Sequence, residues 1–101
     1  MWLLAMFDLP VVTPDDRKAY TRFRKALIRQ GFSMLQFSVY ARFCRSEERS
    51  SVIGQRIRKM LPPDGEVRLM AVTDHQFGKM EVYYGKKRRA TEKPPDQLSF
   101  F

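Results

Sequence analysis

Apolar and polar positions along the chain switch between the periods expected of strands and of helices. Residues 2–7 are apolar on both faces of a pleat, which is typical of a central strand covered on both sides. Thr13 and Pro14 then mark the start of a helix, and Gly31 is suited to end it. Between those points, apolar residues recur at helical spacing and predict a buried side made of Ala19, Tyr20, Phe23 and Leu27.

The middle of the chain repeats this strand–helix pattern. Residues 33–44 alternate like a strand, and the pattern fits either one bent strand or two short ones. Ser46 is placed to cap a second helix, which the proline-rich turn at 62–65 ends. The buried side of this helix is predicted to contain Ile53, Ile57, Met60 and Leu61.

The last third of the chain contains shorter elements and more charge. Residues 66–73 predict a strand, 74–79 a loop and 80–84 a short strand, and 86–95 form a charged tail with prolines.

The order of these elements predicts an α+β fold, the ferredoxin-like βαββαβ sandwich with an additional C-terminal strand. The domain would span residues 1–85, followed by a basic tail at 86–101. Both helices would pack on one face of the sheet and leave the other face partly apolar. A second copy is the simplest cover for that face, so we expect a two-fold homodimer. Residues 97–101 are suited to add a strand to the partner's sheet edge.

Composition narrows the class of partner. The chain has 101 residues, with 19 Lys and Arg against 11 Asp and Glu, which gives a net charge of +8. This balance favours a polyanion as partner. No apolar run approaches the roughly 20 residues of a membrane helix, so we expect a soluble, cytoplasmic protein with no membrane partner. The single cysteine, Cys44, cannot form an intramolecular disulfide, and no Cys/His cluster has the spacing of a zinc site.

Positive charge is concentrated in two segments. The first helix has a cationic stripe opposite its apolar side, with no acidic residue after Asp16. Like charges placed together repel unless an anion lies over them, which favours contact with a nucleic-acid backbone. A solvated helix face is the alternative. The stripe comprises Lys18, Arg22, Lys25 and Arg29, flanked by Arg17 and Arg24. The second basic patch is Lys86, Lys87, Arg88 and Arg89, for which a flexible phosphate-binding arm and a solubilising terminus are both open.

Asp8 is the candidate for metal chemistry. It closes a buried apolar strand, and strand ends are where sites are commonly built. The alternative is turn chemistry, in which Asp8 begins the bend at Leu9 and Pro10. One carboxylate is a small ligand set for Mg²⁺, but a two-fold axis that brings two copies of Asp8 together would give an adequate one. The lone His75 is interpreted as a surface residue, and Cys44 as a packed strand residue.

Three segments together resemble the family of CRISPR-associated protein two, the small subunit of the spacer-acquisition machinery. The first is Met-Phe-Asp-Leu-Pro at 6–10, which follows the apolar strand. The second is Gly-Phe-Ser-Met-Leu-Gln-Phe-Ser-Val-Tyr at 31–40, after the basic helix. The third is Val-Thr-Asp-His-Gln-Phe at 72–77. The resemblance covers about residues 2–85.

This resemblance implies a ferredoxin-like homodimer in which Asp8 is the catalytic residue and the Mg²⁺ ligand. It implies a magnesium-dependent endonuclease acting on RNA or DNA, and also a scaffold that joins integrase subunits around a DNA fragment. The cationic stripe of the first helix fits a surface along the duplex backbone. Many relatives carry Phe-Glu after the Ser-Val pair, whereas this chain has Tyr40-Ala41, so an acidic residue that would assist the metal is absent there.

Two other functions fit the same fold. A free-standing, toxin-type endoribonuclease uses a similar fold and would depend on Asp8 for cleavage. An RNA-binding module of the RRM type shares the βαββαβ order, but it needs exposed aromatic residues in a basic-glycine-aromatic strand motif, and no strand here carries one.

Overall fold

The computed structural model describes residues 1–95, in which two helices cover one face of an antiparallel sheet and a third, short helix lies against the other face. The elements follow in the order β1 (Trp2–Asp8), α1 (Pro14–Arg29), β2 (Ser33–Gln36), β3 (Val39–Phe43), α2 (Glu47–Arg58), β4 (Glu66–Val72), α3 (Asp74–Gly78), β5 (Val82–Tyr84) and β6 (Lys87–Arg89).

The main sheet has the strand order β2-β3-β1-β4, and β1 pairs antiparallel with both of its neighbours. This is the ferredoxin-like arrangement, so the predicted fold class is confirmed. The segment 33–44, for which one strand or two remained open, forms the two strands β2 and β3. Ser38 turns the chain between them with a φ of 63°, and its carbonyl accepts a hydrogen bond from the Phe7 amide (3.1 Å).

Both long helices begin at the predicted caps. The Thr13 hydroxyl accepts a hydrogen bond from the Asp16 amide (3.0 Å), and the Asp16 carboxylate accepts one from the Thr13 amide (3.1 Å). The Ser46 hydroxyl accepts a hydrogen bond from the Arg49 amide in the same way. These contacts satisfy amide groups that a helix start otherwise leaves without partners. Gly31, with a φ of 87°, follows the last turn of α1, as predicted.

The alternation of β1 divides the core into two clusters. Leu3, Ala5 and Phe7 point towards α1 and α2, where they join the main core, and Trp2 and Leu4 point to the opposite face. The predicted buried side of α1 is confirmed at Phe23 and Leu27, which are at most 1% exposed. The main core is completed by Leu9, Phe32, Tyr40, Cys44, Ile53 and Ile57.

Part of the second face is covered within the chain. The segment 74–79, predicted to be a loop, contains helix α3, so that prediction is wrong. The Thr73 hydroxyl accepts from the Gln76 amide and the Gln76 side chain accepts from the Thr73 amide, a capping box that starts the helix. Phe77 of α3 stacks on Trp2, with 4.1 Å between ring centroids.

Two further expectations need correction. Leu61 is 48% exposed rather than buried, because α2 ends at Arg58 and the following residues leave the helix face. Part of the segment treated as a charged tail is a strand, since β6 pairs with β5 in a separate hairpin. The predicted domain boundary after residue 85 therefore falls in the turn of that hairpin. Residues 97–101, predicted to add a strand to a partner, lie outside the described residues.

Gly65 is expected to be intolerant of any side chain. It has a φ of 94°, and a Cβ added there would lie 2.7 Å from the Asp8 carbonyl oxygen and from a Leu9 methyl carbon. Both the backbone conformation and the close approach oppose a side chain. Gly65→Ala should lower the free energy of unfolding by about 2 kcal/mol or more, measured by urea denaturation.

Gly78→Ala is the matched control for this prediction. An added Cβ at Gly78 would meet nothing within 4 Å, and its φ is not in the left-handed region. Alanine lowers the conformational entropy of the unfolded chain and favours helix, so this variant should be unchanged or more stable by up to about 1 kcal/mol. Equal stability of the two variants would contradict the close packing of Gly65 against Asp8.

Candidate nucleic-acid interface and carboxylate pair

Asp8 lies exposed at the end of β1, on the sheet face opposite α1 and α2. Its partner in the β1–β4 register is Glu66, the first residue of β4. Residues directly opposite in an antiparallel pair have their Cβ atoms about 5 Å apart and point to the same face. The two carboxylates therefore share the rim of one open depression, lined also by Met6 and Arg68.

Arg68 balances part of this negative charge. Its Nε donates to the Glu66 Oε1 (2.8 Å), and its Nη2 lies 2.6 Å from the same oxygen. Glu66 is thus held by a cation, whereas Asp8 has no hydrogen-bond or ion-pair partner within residues 1–95. Sequence reasoning missed Glu66 and Arg68, because their position beside Asp8 depends on the register of two strands that are far apart in the chain.

The donor chemistry at this site fits Mg²⁺ but is sparse. Carboxylate oxygens are its preferred protein ligands, and the ion is usually held by one or two of them together with water and phosphate oxygens. Within residues 1–95, no cluster of three or more His, Cys, Asp or Glu side chains is placed to hold a metal. Among residues 1–95 of one chain, the carboxylates at this site are Asp8 and, opposite it, the arginine-bound Glu66.

Ala41, where the family resemblance leads one to expect a glutamate, is remote from this pair. Ala41 lies in β3 and pairs with Leu4, four residues before Asp8 on β1. At the rise of a strand, this is about 13 Å away along the sheet. An acidic side chain at position 41 would therefore lie too far away to share a metal ion with Asp8, whereas Glu66 lies directly opposite Asp8.

The predicted cationic stripe is exposed along its whole length on α1. Its side chains make no hydrogen bond or ion pair within residues 1–95, so their charge is left to solvent or to a ligand. They follow the outer side of the helix, opposite the buried Phe23 and Leu27. The members of this stripe are Lys18, Arg22, Lys25 and Arg29.

Arg17, which flanks the stripe, has a structural contact. Its Nη1 donates to the carbonyl oxygens of Val11 (3.1 Å) and Val12 (2.9 Å), in the loop between β1 and α1. The guanidinium thus joins the helix to the loop that follows Asp8. It remains exposed, so these contacts leave other donors of the fork available to an anion.

The second basic patch lies on the β5–β6 hairpin. Lys86, Lys87, Arg88 and Arg89 are all exposed, with Lys86 in the turn. The Arg89 guanidinium lies 4.2 Å above the centre of the Tyr84 ring, a cation–π contact. On the same hairpin segment, the Glu81 carboxylate accepts a hydrogen bond from the Tyr83 hydroxyl and raises the pKa of Tyr83. The hairpin therefore displays basic side chains together with exposed tyrosine rings.

The remaining candidates stay outside these surfaces. His75 is exposed in the first turn of α3, at the far end of the sheet from Asp8. Cys44 is 1% exposed in the main core, which agrees with its interpretation as a packed residue. No helix within the described residues 1–95 is long and apolar enough to cross a membrane.

The fold and these surfaces define a class: a small ferredoxin-like protein with a basic helix and a carboxylate at the end of its central strand. The CRISPR associated protein Cas2 family matches residues 1–80, and this chain belongs to that family. It is therefore a CRISPR-associated protein, as the resemblance of its motifs predicts.

Relatives of known name support this membership over the full length of the chain. A protein of Parvibaculum lavamentivorans is 52% identical over 101 residues, which is all of both chains. A protein of Flavobacterium psychrophilum is 50% identical over 101 residues, all of this chain and 88% of that one. Both relatives are named CRISPR-associated endoribonuclease Cas2.

A solved structure has the same fold. The crystal structure of Streptococcus pyogenes Cas2 at pH 6.5 superposes with a TM-score of 0.62 at 19% identity. The match covers 83% of this chain and all of the other. At this identity the likeness establishes the fold alone.

Proposed function

We propose that this chain is a spacer-acquisition subunit that binds duplex DNA along the cationic stripe of α1. The observation that carries this proposal is the stripe itself, whose four cations face outwards with no acidic partner within residues 1–95. A rigid helix with regularly spaced cations is suited to a row of phosphates. Such contacts are independent of base sequence and depend strongly on salt.

The proposed assembly is a two-fold homodimer that bridges integrase subunits around the DNA. The apolar residues still exposed on the sheet face opposite α1 and α2 support a second copy there. Met70 is 47% exposed on that face, and Met6 beside it is half-buried. The basic hairpin at Lys86–Arg89 is proposed as an additional contact to the nucleic acid.

A second candidate function is Mg²⁺-dependent cleavage of phosphodiester bonds at Asp8, in RNA or in DNA. The pairing of Asp8 with Glu66 at one strand end favours it, as does the endoribonuclease name of the relatives. Asp8 would hold the ion, and a second copy of Asp8 across the dimer axis would enlarge the ligand set. Bound Mg²⁺ supplies charge stabilisation at the phosphate and lowers the pKa of a bound water.

In this second function the chain's own residues orient the substrate. Arg68, beside Asp8 and already bound to Glu66, has donors left for a phosphate oxygen. A free-standing endoribonuclease of the toxin type would use the same groups. It would differ from the scaffold in not requiring an integrase partner.

The stripe is tested by removing two of its charges. Arg22→Gln with Arg29→Gln should weaken binding of a DNA duplex about tenfold or more at 0.1 M salt, because two phosphate contacts are lost. The slope of log Kd against log salt should fall by about 2. Fluorescence anisotropy over a salt series measures both quantities.

The control for this test is Arg49→Gln with Lys59→Gln, which removes the same charge from an exposed position of α2 and from the exposed residue that follows this helix. If the effect is specific to the stripe, this variant should keep the wild-type slope. An unchanged slope in the α1 variant would show that the stripe does not contact the phosphates.

A further inference from the structure

Phe37 is an aromatic side chain that the proposed function has not used. It lies in the turn between β2 and β3 and is 82% exposed. Within residues 1–95, every other phenylalanine is buried or half-buried. Its ring meets no other aromatic ring among these residues. The ring of Phe37 therefore presents an open aromatic face that a ligand can contact.

The turn that carries Phe37 is held beside Asp8. The Ser38 carbonyl accepts a hydrogen bond from the amide of Phe7, the residue before Asp8 (3.1 Å). Neighbouring strands lie about 5 Å apart, so the turn and the end of β1 are adjacent. The positive φ of Ser38 and the register shift in β2 further define how the turn leaves the sheet. Phe37 is thus displayed at a fixed place, one strand away from the carboxylate.

The charges around this end of the sheet suit a nucleic acid. Arg68 lies in the same depression as Asp8, and Arg17 lies against the loop that follows Asp8. The net charge of +8 also favours association of the whole chain with a polyanion. Cations for the backbone next to an aromatic ring for the bases are the two parts of a single-strand binding site.

We propose that Phe37 is a stacking platform for an unpaired base of RNA whose backbone passes Asp8. This inference rests on the second proposed function, phosphodiester chemistry at Asp8, and adds the residue that selects its substrate. A base inside a duplex is already stacked on its neighbours and presents no free face to a ring. Phe37 would therefore favour single-stranded over double-stranded substrates at this site.

The test measures binding without cleavage, in the Asp8→Asn background with EDTA. A short single-stranded RNA carries 2-aminopurine, whose fluorescence changes when the base stacks on a ring. Phe37→Ala should weaken binding of this RNA by roughly 5- to 100-fold and abolish the fluorescence change. Phe37→Tyr should retain the wild-type affinity and the fluorescence change. Phe37→Leu, which keeps an apolar side chain but has no π face, should lose both. Duplex binding should stay at the wild-type level in all of them.

Val12→Ala is the matched control, because Val12 is 83% exposed in the neighbouring loop and should leave RNA binding unchanged. Wild-type affinity of Phe37→Ala for the RNA would overturn the inference. A change of oligomeric state in Phe37→Ala, seen by analytical ultracentrifugation, would also overturn it by assigning the ring to a protein contact. Because nothing is cleaved in this assay, loss of the proposed nuclease activity and loss of stacking are scored separately.

Discussion

Replacing Asp8 with asparagine is expected to abolish Mg²⁺-dependent cleavage while leaving duplex binding intact. The amide keeps the shape of the side chain but removes the negative charge that the ion requires. The rate should fall by a factor on the order of 100 or more, as is typical when a group that stabilises transition-state charge is removed. Duplex binding should persist, because the cationic stripe is on α1, across the sheet from Asp8.

The experiment compares wild type and Asp8→Asn on single-stranded RNA and on duplex DNA, with Mg²⁺ and then with EDTA. Asp64→Asn is the matched control, since Asp64 is an exposed aspartate in the turn just before β4. Cleavage that Asp8→Asn removes and Asp64→Asn keeps would establish the nuclease and identify its substrate. A wild-type protein that binds duplex DNA but cuts neither substrate would leave the scaffold as the function.

The largest loss of stability is expected from Leu27→Ala. Leu27 lies on the inner side of α1, has no exposed surface and belongs to the main core. Truncation removes buried methyl groups and leaves a cavity between the helix and the sheet. The free energy of unfolding should fall by about 3 kcal/mol, a large share of the stability of a domain of this size. Urea denaturation measures it.

The adjacent residue supplies the control. Ile28 is 48% exposed on the same helix, so Ile28→Ala removes a similar volume without opening a core cavity. This variant should lower the free energy of unfolding by about 0.5 kcal/mol, as is usual for surface substitutions. Similar losses of unfolding free energy in Leu27→Ala and Ile28→Ala would contradict the placement of Leu27 on the buried side of α1.

Much of the fold follows from local signals in the sequence. Thr13 with Pro14, and Ser46, are strong start signals because their side chains satisfy the orphan amide groups of a helix. The apolar run at 2–7 indicates the central strand, since strands covered on both faces are typically apolar throughout. The missed helix α3 had such a signal too, in the capping box of Thr73 and Gln76.

The site was harder to predict than the fold. Asp8 is marked by its place at the end of a buried strand, but its neighbours come from distant parts of the chain. Glu66 and Arg68 reach it only through the β1–β4 register, and register is set by the packing of whole strands. The β5–β6 hairpin is also difficult to read from sequence, because a short two-stranded ribbon with charged residues has almost no hydrophobic pattern.

The stacking of Trp2 on Phe77 gives this protein an intrinsic fluorescent probe of one tertiary contact. Trp2 is the chain's single tryptophan and is 6% exposed, at the point where α3 closes over the sheet. Its emission therefore comes from one defined place, so a red shift signals that water has reached the contact between α3 and the sheet. Detachment of this short helix, a smaller event than global unfolding, can be followed in the unlabelled chain.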